Sequence, residues 1–343
     1  MLKVAVVGAT DMVGREIIKT LAERATLPLR EVVALASGRA VGQSVSFGEE
    51  EVLKVRGLEA FDFSDTDIAF FAASTSIATQ HAPRAAAAGA MVIECSGQFH
   101  LEKDVPLLVP EVNPHALARA RKRRIIANPT AASIQLALAL KPLHDIAKVR
   151  RAVVTILAPV SGAGKEAMDE LWTQSRGLFV NDAATPEQFP KQISFNCIPQ
   201  TDRFVEGGAT REEWALALET RKIVDPDILV TATAVRVPVF VGQGMAVHVE
   251  FEQPITEAQA RAALRQAPGL VLEDKREDGG YVTPLEVVGE DSVFISRLRR
   301  DATVAHGLAF WCVADNLRKG AALNAVQIAE AVVTGKMLEG GQG

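Results

Sequence analysis

The apolar positions of this chain fall into two regimes. Near its start they form short, nearly unbroken runs: Leu2–Val7 (interrupted by Lys3), residues 31–35 and 67–71, Met91–Glu94 and Ile125–Ala127. Short runs without polar alternation predict strands buried on both faces of a parallel sheet. Between them the pattern predicts helices, one opening in residues 8–16 and running to about Glu23, another following residues 72–76 and running to Ala88. Such alternation predicts an α/β, doubly wound domain of the dinucleotide-binding kind, with residues 105–114 as a bridge. After a turn at Asn128-Pro129 an apolar helix is expected from about Ala131 to Leu143, and then the regime changes. Strands are expected at residues 151–159, 193–198, 229–241 and 245–251, separated by long segments, and a last helix over 314–333 returns to the first domain. The expected division is a domain of residues 1–129 completed by the C-terminal helix 314–343, and a second, α+β dimerisation and substrate domain of residues 130–313 with a mixed or antiparallel sheet.

With 343 residues, 48% of them hydrophobic, the chain can bury a large core and is long enough for two domains. A net charge of −5 disfavours a nucleic-acid partner, which asks for a basic face, and the one basic run, residues 119–124, reads as a solvated helix end. Three unpaired-looking cysteines suit reduced thiols, the chain enters a strand at once without a leader pattern, and no apolar run reaches ~18 residues. A cytoplasmic protein with no membrane partner is therefore expected. No His/Cys/Asp cluster has metal-ligand spacing, so no metal is expected.

Two stretches carry candidate chemistry. The first strand-to-helix turn, Gly8-Ala9-Thr10-Asp11-Met12-Val13-Gly14, is where a dinucleotide fold holds pyrophosphate on backbone N–H groups; a plain tight turn would also account for its glycines. A carboxylate at Asp11 is able to cap free N–H groups at that helix start. The second stretch is residues 124–145, RIIANPTAASIQLALALKPLHD, whose helix start after a strand end is a place where enzymes put a thiolate or an anion.

This second stretch resembles the aspartate-semialdehyde dehydrogenase family, whose matching run is N-P-N-C-S-T-I-Q followed by A-L-K-P-L-H-D. Further matches are the first turn (G-A-T-G-A-V-G in the family), S-S-R-S-A-G at Ser37-Gly38-Arg39-Ala40-Val41-Gly42, residues 105–114, Ser161-Gly162-Ala163-Gly164, residues 189–193 and 219–223, Arg236-Val237-Pro238-Val239 and ADNLRKGAALNAVQIAE from Ala314. The likeness spans residues 3–330. It implies a Rossmann domain, a homodimer, and NADP as cofactor, held at Gly8, Thr10, Asp11, Met12, Val13, Ser37 and Arg39, with Ser161, Gly162 and Asn316 near the nicotinamide. Arg39 would take the 2′-phosphate; a loop arginine without a role explains the position nearly as well.

In the family a cysteine attacks the aldehyde carbon and a histidine serves as base. The chain has Ala131 and Gln243 at those positions, so by this likeness no catalytic residue is intact. A methyl group is no nucleophile, and glutamine exchanges no proton near neutral pH. The family's asparagine before the cysteine is Thr130, its orienting glutamine Ala158, and its phosphate-gripping arginine and lysine are His100 and Ala215. Glu212 and Arg236 remain, the pair that would hold an amino acid's ammonium and carboxylate; an ion pair between strands or at an interface explains them equally well. Cys95 is either a substitute nucleophile or a buried structural thiol, whereas Cys197 and Cys312 read as core thiols. His81, His115 and His306 read as surface or packing residues. Three functions follow. The chain is a pseudoenzyme that binds a small amino-acid-like ligand, or an NADP-dependent oxidoreductase that works on a small amino or carboxylic acid without cysteine, or a scaffold for a paralogous enzyme.

Overall fold

The computed structural model describes residues 1–180 and 185–338, and they form two compact units, residues 1–130 with 321–338 and residues 131–180 with 185–320. The last five residues of the expected C-terminal segment, 339–343, lie outside the described part.

The first unit begins β1 (Leu2–Val7), α1 (Met12–Arg24), β2 (Leu29–Ala36), then a small antiparallel hairpin of β3 (Ser44–Phe47) and β4 (Glu51–Lys54), and β5 (Arg56–Gly57). It continues through β6 (Ile68–Phe71), α2 (Thr75–Ala87), β7 (Met91–Glu94) and β8 (Ile125–Ala127). Its six-stranded sheet is parallel throughout, in the order β5-β2-β1-β6-β7-β8. The chain runs outward from β1 in both directions, so the strand order reverses between β1 and β6, and sheets of this kind form their ligand crevice beyond the carboxyl ends at such a reversal. Val4–Val7, Ile68–Phe71 and Met91–Glu94 are fully buried, which is why those strands read as continuous apolar runs.

The second unit begins with α3 (Ala131–Ala147), the most thoroughly buried helix, followed by β9 (Val149–Ala158), α4 (Lys165–Phe179) and α5 (Arg211–Ile223). Then come β10 (Leu229–Arg236), β11 (Gln243–Phe251), α6 (Glu257–Gln266), β12 (Leu270–Leu272), β13 (Val293–Arg300) and β14 (Gly307–Ala314). The sheet order β10-β9-β11-β14-β13-β12 is mixed: β9/β10 and β12/β13 run parallel, the rest antiparallel. One sheet face packs on α3, so residues in register such as Val154, Ile156, Ala234, Met245, Val247 and Cys312 are buried together on it. The chain then re-enters the first unit through α7 (Leu323–Thr334), which packs against α1 and β7.

Three local expectations fail. Residues 193–198 are not a strand: Phe195 has a φ of +55°, which breaks the extended run, and only an isolated bridge joins Ile198 to Arg236. Ile193 and Ile198 point inward, Phe195 outward, and Cys197 is exposed rather than a core thiol. The expected strand over 229–241 stops at Arg236. No helix begins at Ala314, which ends β14; Asp315 caps the following turn through the N–H groups of Leu317 and Arg318 (2.8 and 3.0 Å), and a π-helical stretch, Arg318–Ala322, leads into α7.

His144 of α3 supplies a pH prediction. Its Nδ1 accepts from the Val149 N–H at 3.2 Å while Nε2 faces Asp225 at 3.3 Å, an arrangement that fits only the neutral ring. Burial holds its pKa below the ordinary histidine value, against the pull of Asp225; Lys148 and Lys141 depress it further, and Asp145 opposes. A base depressed in the fold refuses a proton that the unfolded chain accepts, so stability falls as pH drops below about 6.5. His144→Gln is expected to flatten part of the decline in melting temperature between about pH 7 and pH 5; an unchanged slope rules the assignment out. His81, depressed by burial and by Arg84, accounts for a separate share.

Candidate functional site

In the first unit the crevice is built from backbone. Gly8 follows β1 at φ +82°, and a Cβ there would stand 2.3 Å from the Ala72 carbonyl oxygen at the end of β6. Gly14 allows α1 to lie against the same turn, since a Cβ on it would reach within 2.0 Å of the Gly8 carbonyl oxygen. The Gly8 and Ala9 N–H groups bond to Leu35 O (2.9 and 3.1 Å), and the first helical bond is from Arg15 N to Asp11 O (2.9 Å). The N–H groups of Met12, Val13 and Gly14 therefore come before any intrahelical partner, as the start of a helix offers them to an anion. Thr10 is half-buried and its carbonyl accepts from Arg15 Nε at 2.9 Å. Asp11 is the N-cap residue, but its exposed carboxylate accepts no capping bond from α1, against the expectation that it would. Ser37 precedes a short 3-10 turn, Gly38–Ala40, which carries Arg39 exposed beyond the end of β2.

Also in this unit, burial and the adjoining Glu94 carboxylate push the Cys95 thiol up, with the Asn128 side chain pulling weakly the other way. That favours the structural thiol over the substitute nucleophile. Burial also raises Cys312. His100 is buried with Nε2 4.0 Å from Glu94 Oε2, and Glu94 itself accepts from the backbone N–H groups of Ser96 and Phe99.

In the second unit four strand ends meet at one edge of the α3 face. Arg236 pairs in register with Ala158, Gln243 with Ala314, and Gly244 with Leu157. Side-chain alternation puts Ala158, Arg236, Gln243 and Ala314 on the same face as Ile156 and Met245. The first turns of α3 lie over this edge, for Gln135 donates through Nε2 to Ala314 O at 3.5 Å. Ala131, half-buried, sits at the helix start, where a Cβ on Gly320 would come within 2.7 Å of its methyl.

A side-chain network frames this edge. Asn316 Oδ1 accepts from the Gly242 N–H (3.1 Å) and from Ser161 Oγ (3.3 Å), while Asn316 Nδ2 lies 3.0 Å from Ser161 Oγ. Gly242, at φ +100°, makes the turn into Gln243. Arg236 donates through Nη1 to Pro159 O at 2.6 Å, and Gly162 leaves room for it, since a Cβ there would stand 3.0 Å from Nη1. Glu212 is brought close by a capping box at the start of α5. Thr210 and Glu213 bond reciprocally (3.4 and 2.6 Å), and Glu213 Oε1 accepts from the Ala234 N–H at 2.8 Å, two residues before Arg236.

Burial raises the Glu212 pKa against the Thr201 hydroxyl and the Arg236 charge, and burial lowers that of Arg236 against Glu212 and Asp202. The two charges attract without a direct ion pair among the described residues, and Glu212 lies on α5 rather than on a strand. An unpaired guanidinium edge is free to take a carboxylate. Gln135 was missed in the sequence. The signal for it was a lone amide in the otherwise apolar run 134–140.

Two family models match the chain: one described as semialdehyde dehydrogenase, NAD binding domain, over residues 3–120, and one as semialdehyde dehydrogenase, dimerisation domain, over residues 140–319. The chain is 42% identical over 330 residues to an aspartate-semialdehyde dehydrogenase of Rickettsia bellii, covering 96% of this chain and 97% of that one. It is 44% identical over 332 residues to that of Shewanella violacea, with the same coverage. The crystal structure of aspartate semialdehyde dehydrogenase II from Vibrio cholerae superposes with a TM-score of 0.94 at 43% identity, covering 97% of this chain and 99% of the other. With both units matched and identity above 40% along nearly its whole length, the chain belongs to the aspartate-semialdehyde dehydrogenase family.

Proposed function

We propose that this member of the family binds NADP and a small amino-acid-like ligand but does not carry out phosphate-dependent aldehyde oxidation. The observation behind the reading is the pairing of Ala131 at the start of α3 with Gln243 at the start of β11, neither of which supplies a nucleophile or a proton acceptor. The test is direct: NADPH formation from aspartate semialdehyde and phosphate, where turnover within ~10-fold of a typical ~10 s⁻¹ enzyme overturns it. Arg236 and Glu212 would hold the ligand's carboxylate and ammonium. The retained arginine and cofactor cradle also favour a second reading, direct hydride transfer between NADP and a small amino or carboxylic acid. NADPH oxidation with imines or ketones of small amino acids that is abolished by Arg236→Ala would establish it instead.

NADP fits the first unit. The N–H groups of Met12, Val13 and Gly14 would take its pyrophosphate, Ser37 and Arg39 its adenosine end, and when bound it supplies the hydride carrier. Asp11 adds a negative charge beside the phosphates. At ~5 Å and an effective dielectric near ~20 each charge pair repels by about 3 kcal/mol, which solvent and salt reduce to about 1 to 2. NADP is therefore expected to bind roughly 5- to 30-fold more weakly than to Asp11→Gly at low salt, with the gap shrinking as salt is added. Equal affinities in a fluorescence titration defeat this.

A cytoplasmic homodimer is part of the same proposal. The dimerisation-domain match supports the dimer, as does the exposure of Phe179, Phe195, Phe204 and Trp172 (80%, 71%, 61% and 57%) in the second unit. Light scattering that finds a monomer at micromolar concentration excludes it.

A further inference from the structure

The α3 face of the second sheet ends in polar atoms that nothing in the fold uses. Among the described residues Gln243 Nε2, Gln135 Oε1 and Arg236 Nε are buried without a hydrogen-bond partner. Their side chains are 3%, 0% and 6% exposed, so each amide and the guanidinium is more than nine-tenths buried. Gln135 reaches the carbonyl of Ala314, and Ala314 is the cross-strand partner of Gln243, which puts both amides at the same end of this sheet face. Arg236 lies on the same face at the same sheet end, two strands away through β9.

A buried polar atom left unpaired is destabilising, and a ligand that answered all three would relieve the fold. The set has a definite polarity. Gln243 offers N–H donors, Gln135 an acceptor, and Arg236 a further donor with its charge. An aldehyde or a carboxylate at the amide pair supplies acceptors only, leaving Gln135 Oε1 unanswered. A carboxamide supplies both, its carbonyl oxygen accepting from Gln243 and its NH₂ donating to Gln135.

We propose that the site is a non-covalent receptor for a short α-amino acid ending in a carboxamide, with the α-carboxylate on Arg236 and the terminal amide between Gln135 and Gln243. This rests on the amino-acid reading of Arg236 and Glu212 and names the side chain that the reading leaves open. Ala131 suits the role, because the helix start then carries a methyl group rather than a reactive centre beside the bound amide. Ala158, in register with Arg236, adds only a methyl group between the two ends.

Calorimetric titration of the full-length protein with L-asparagine, L-glutamine, L-aspartate and L-2-aminobutyrate tests this. At least one carboxamide is expected to bind tenfold or more tightly than both aspartate and 2-aminobutyrate, because a buried amide pair left unanswered penalises the ligands that lack the match. Gln243→Met, close in volume, is expected to erase that preference. It should leave the melting temperature equal or higher, since it removes a buried donor without a partner. If aspartate or 2-aminobutyrate binds as well as both carboxamides, the amide assignment is wrong while the Arg236 site stands. If none of the four binds, the amino-acid reading fails and this inference with it. A carboxamide preference that persists in Gln243→Met at unchanged melting temperature also overturns it.

Discussion

With aspartate semialdehyde, phosphate and NADP, the purified protein is expected to form no NADPH above background. The family's route needs a thiolate to make the covalent adduct and a base to manage its protons, and the chain places Ala131 and Gln243 at those points. Loss of the base alone is worth on the order of 10² to 10⁴ in rate, and loss of a nucleophile closes the covalent path altogether, so binding cannot restore it. From a typical ~10 s⁻¹, turnover should fall to about 10⁻³ s⁻¹ or below. The double variant Ala131→Cys, Gln243→His is expected to recover only weak activity. His100 is buried beside Glu94, and Ala215 carries no charge, so the two positions that would grip phosphate remain uncharged or shielded. If the double variant reached ordinary family rates, phosphate would be held by other residues and this account of the loss would be incomplete.

Gly14→Ala is expected to destabilise the first unit by about 2 to 3 kcal/mol, even though helix propensity alone argues the other way. In a helix interior alanine is favoured over glycine by about 1 kcal/mol. Against that, the new Cβ would lie 2.0 Å from the Gly8 carbonyl oxygen and 3.1 Å from the Ala9 Cα, both backbone atoms that cannot swing aside. Relief requires α1 to back away from β1, which loosens Ile17, Ile18 and Leu21, all buried under that helix. Overpacking of this kind costs about 1 to 3 kcal/mol and occasionally more, and a clash with main chain belongs at the upper end. A melting-temperature drop of roughly 4 to 10 °C follows for a unit of this size. NADP affinity should fall as well, because Gly8 and the first N–H groups of α1 form one surface. A Gly14→Ala protein as stable as the parent would show that propensity dominates and that the helix has room to move.

The parts of this fold legible in the sequence are those whose cause is local. Val4–Val7 and Met91–Glu94 are buried on both faces, and an unbroken apolar run says so. Residues 193–198 alternate apolar and polar as a half-buried strand would, yet Ile193 and Ile198 are anchors of a loop whose Phe195 adopts a left-handed conformation, and composition does not reveal a backbone reversal of that kind. The start of the last helix was misplaced for a related reason. The run from Leu317 onward suits a helix by propensity, but Ala314 is held by cross-strand bonds to Gln243, and Asp315 caps the turn that precedes it. The site divides in the same way. Gly8 and Gly14 announce themselves by spacing next to a strand, whereas the convergence of Gln135, Arg236 and Gln243 depends on register between strands far apart in the chain. Only the assembled sheet shows that those three polar atoms share one corner.

That corner also bears on how the chain folds. Arg236 and Gln243 are close in the chain, but the contacts that align them run through Ala158 and Ala314, each tens of residues away, so none of those contacts is local. Closing such long loops is slow, and its entropy is recovered only once the neighbouring strands are in place. The alignment of this corner is therefore expected to come late in folding, after α3 and the strands β9 and β11 have docked. A ligand added during refolding should act on the final step, slowing unfolding far more than it speeds folding.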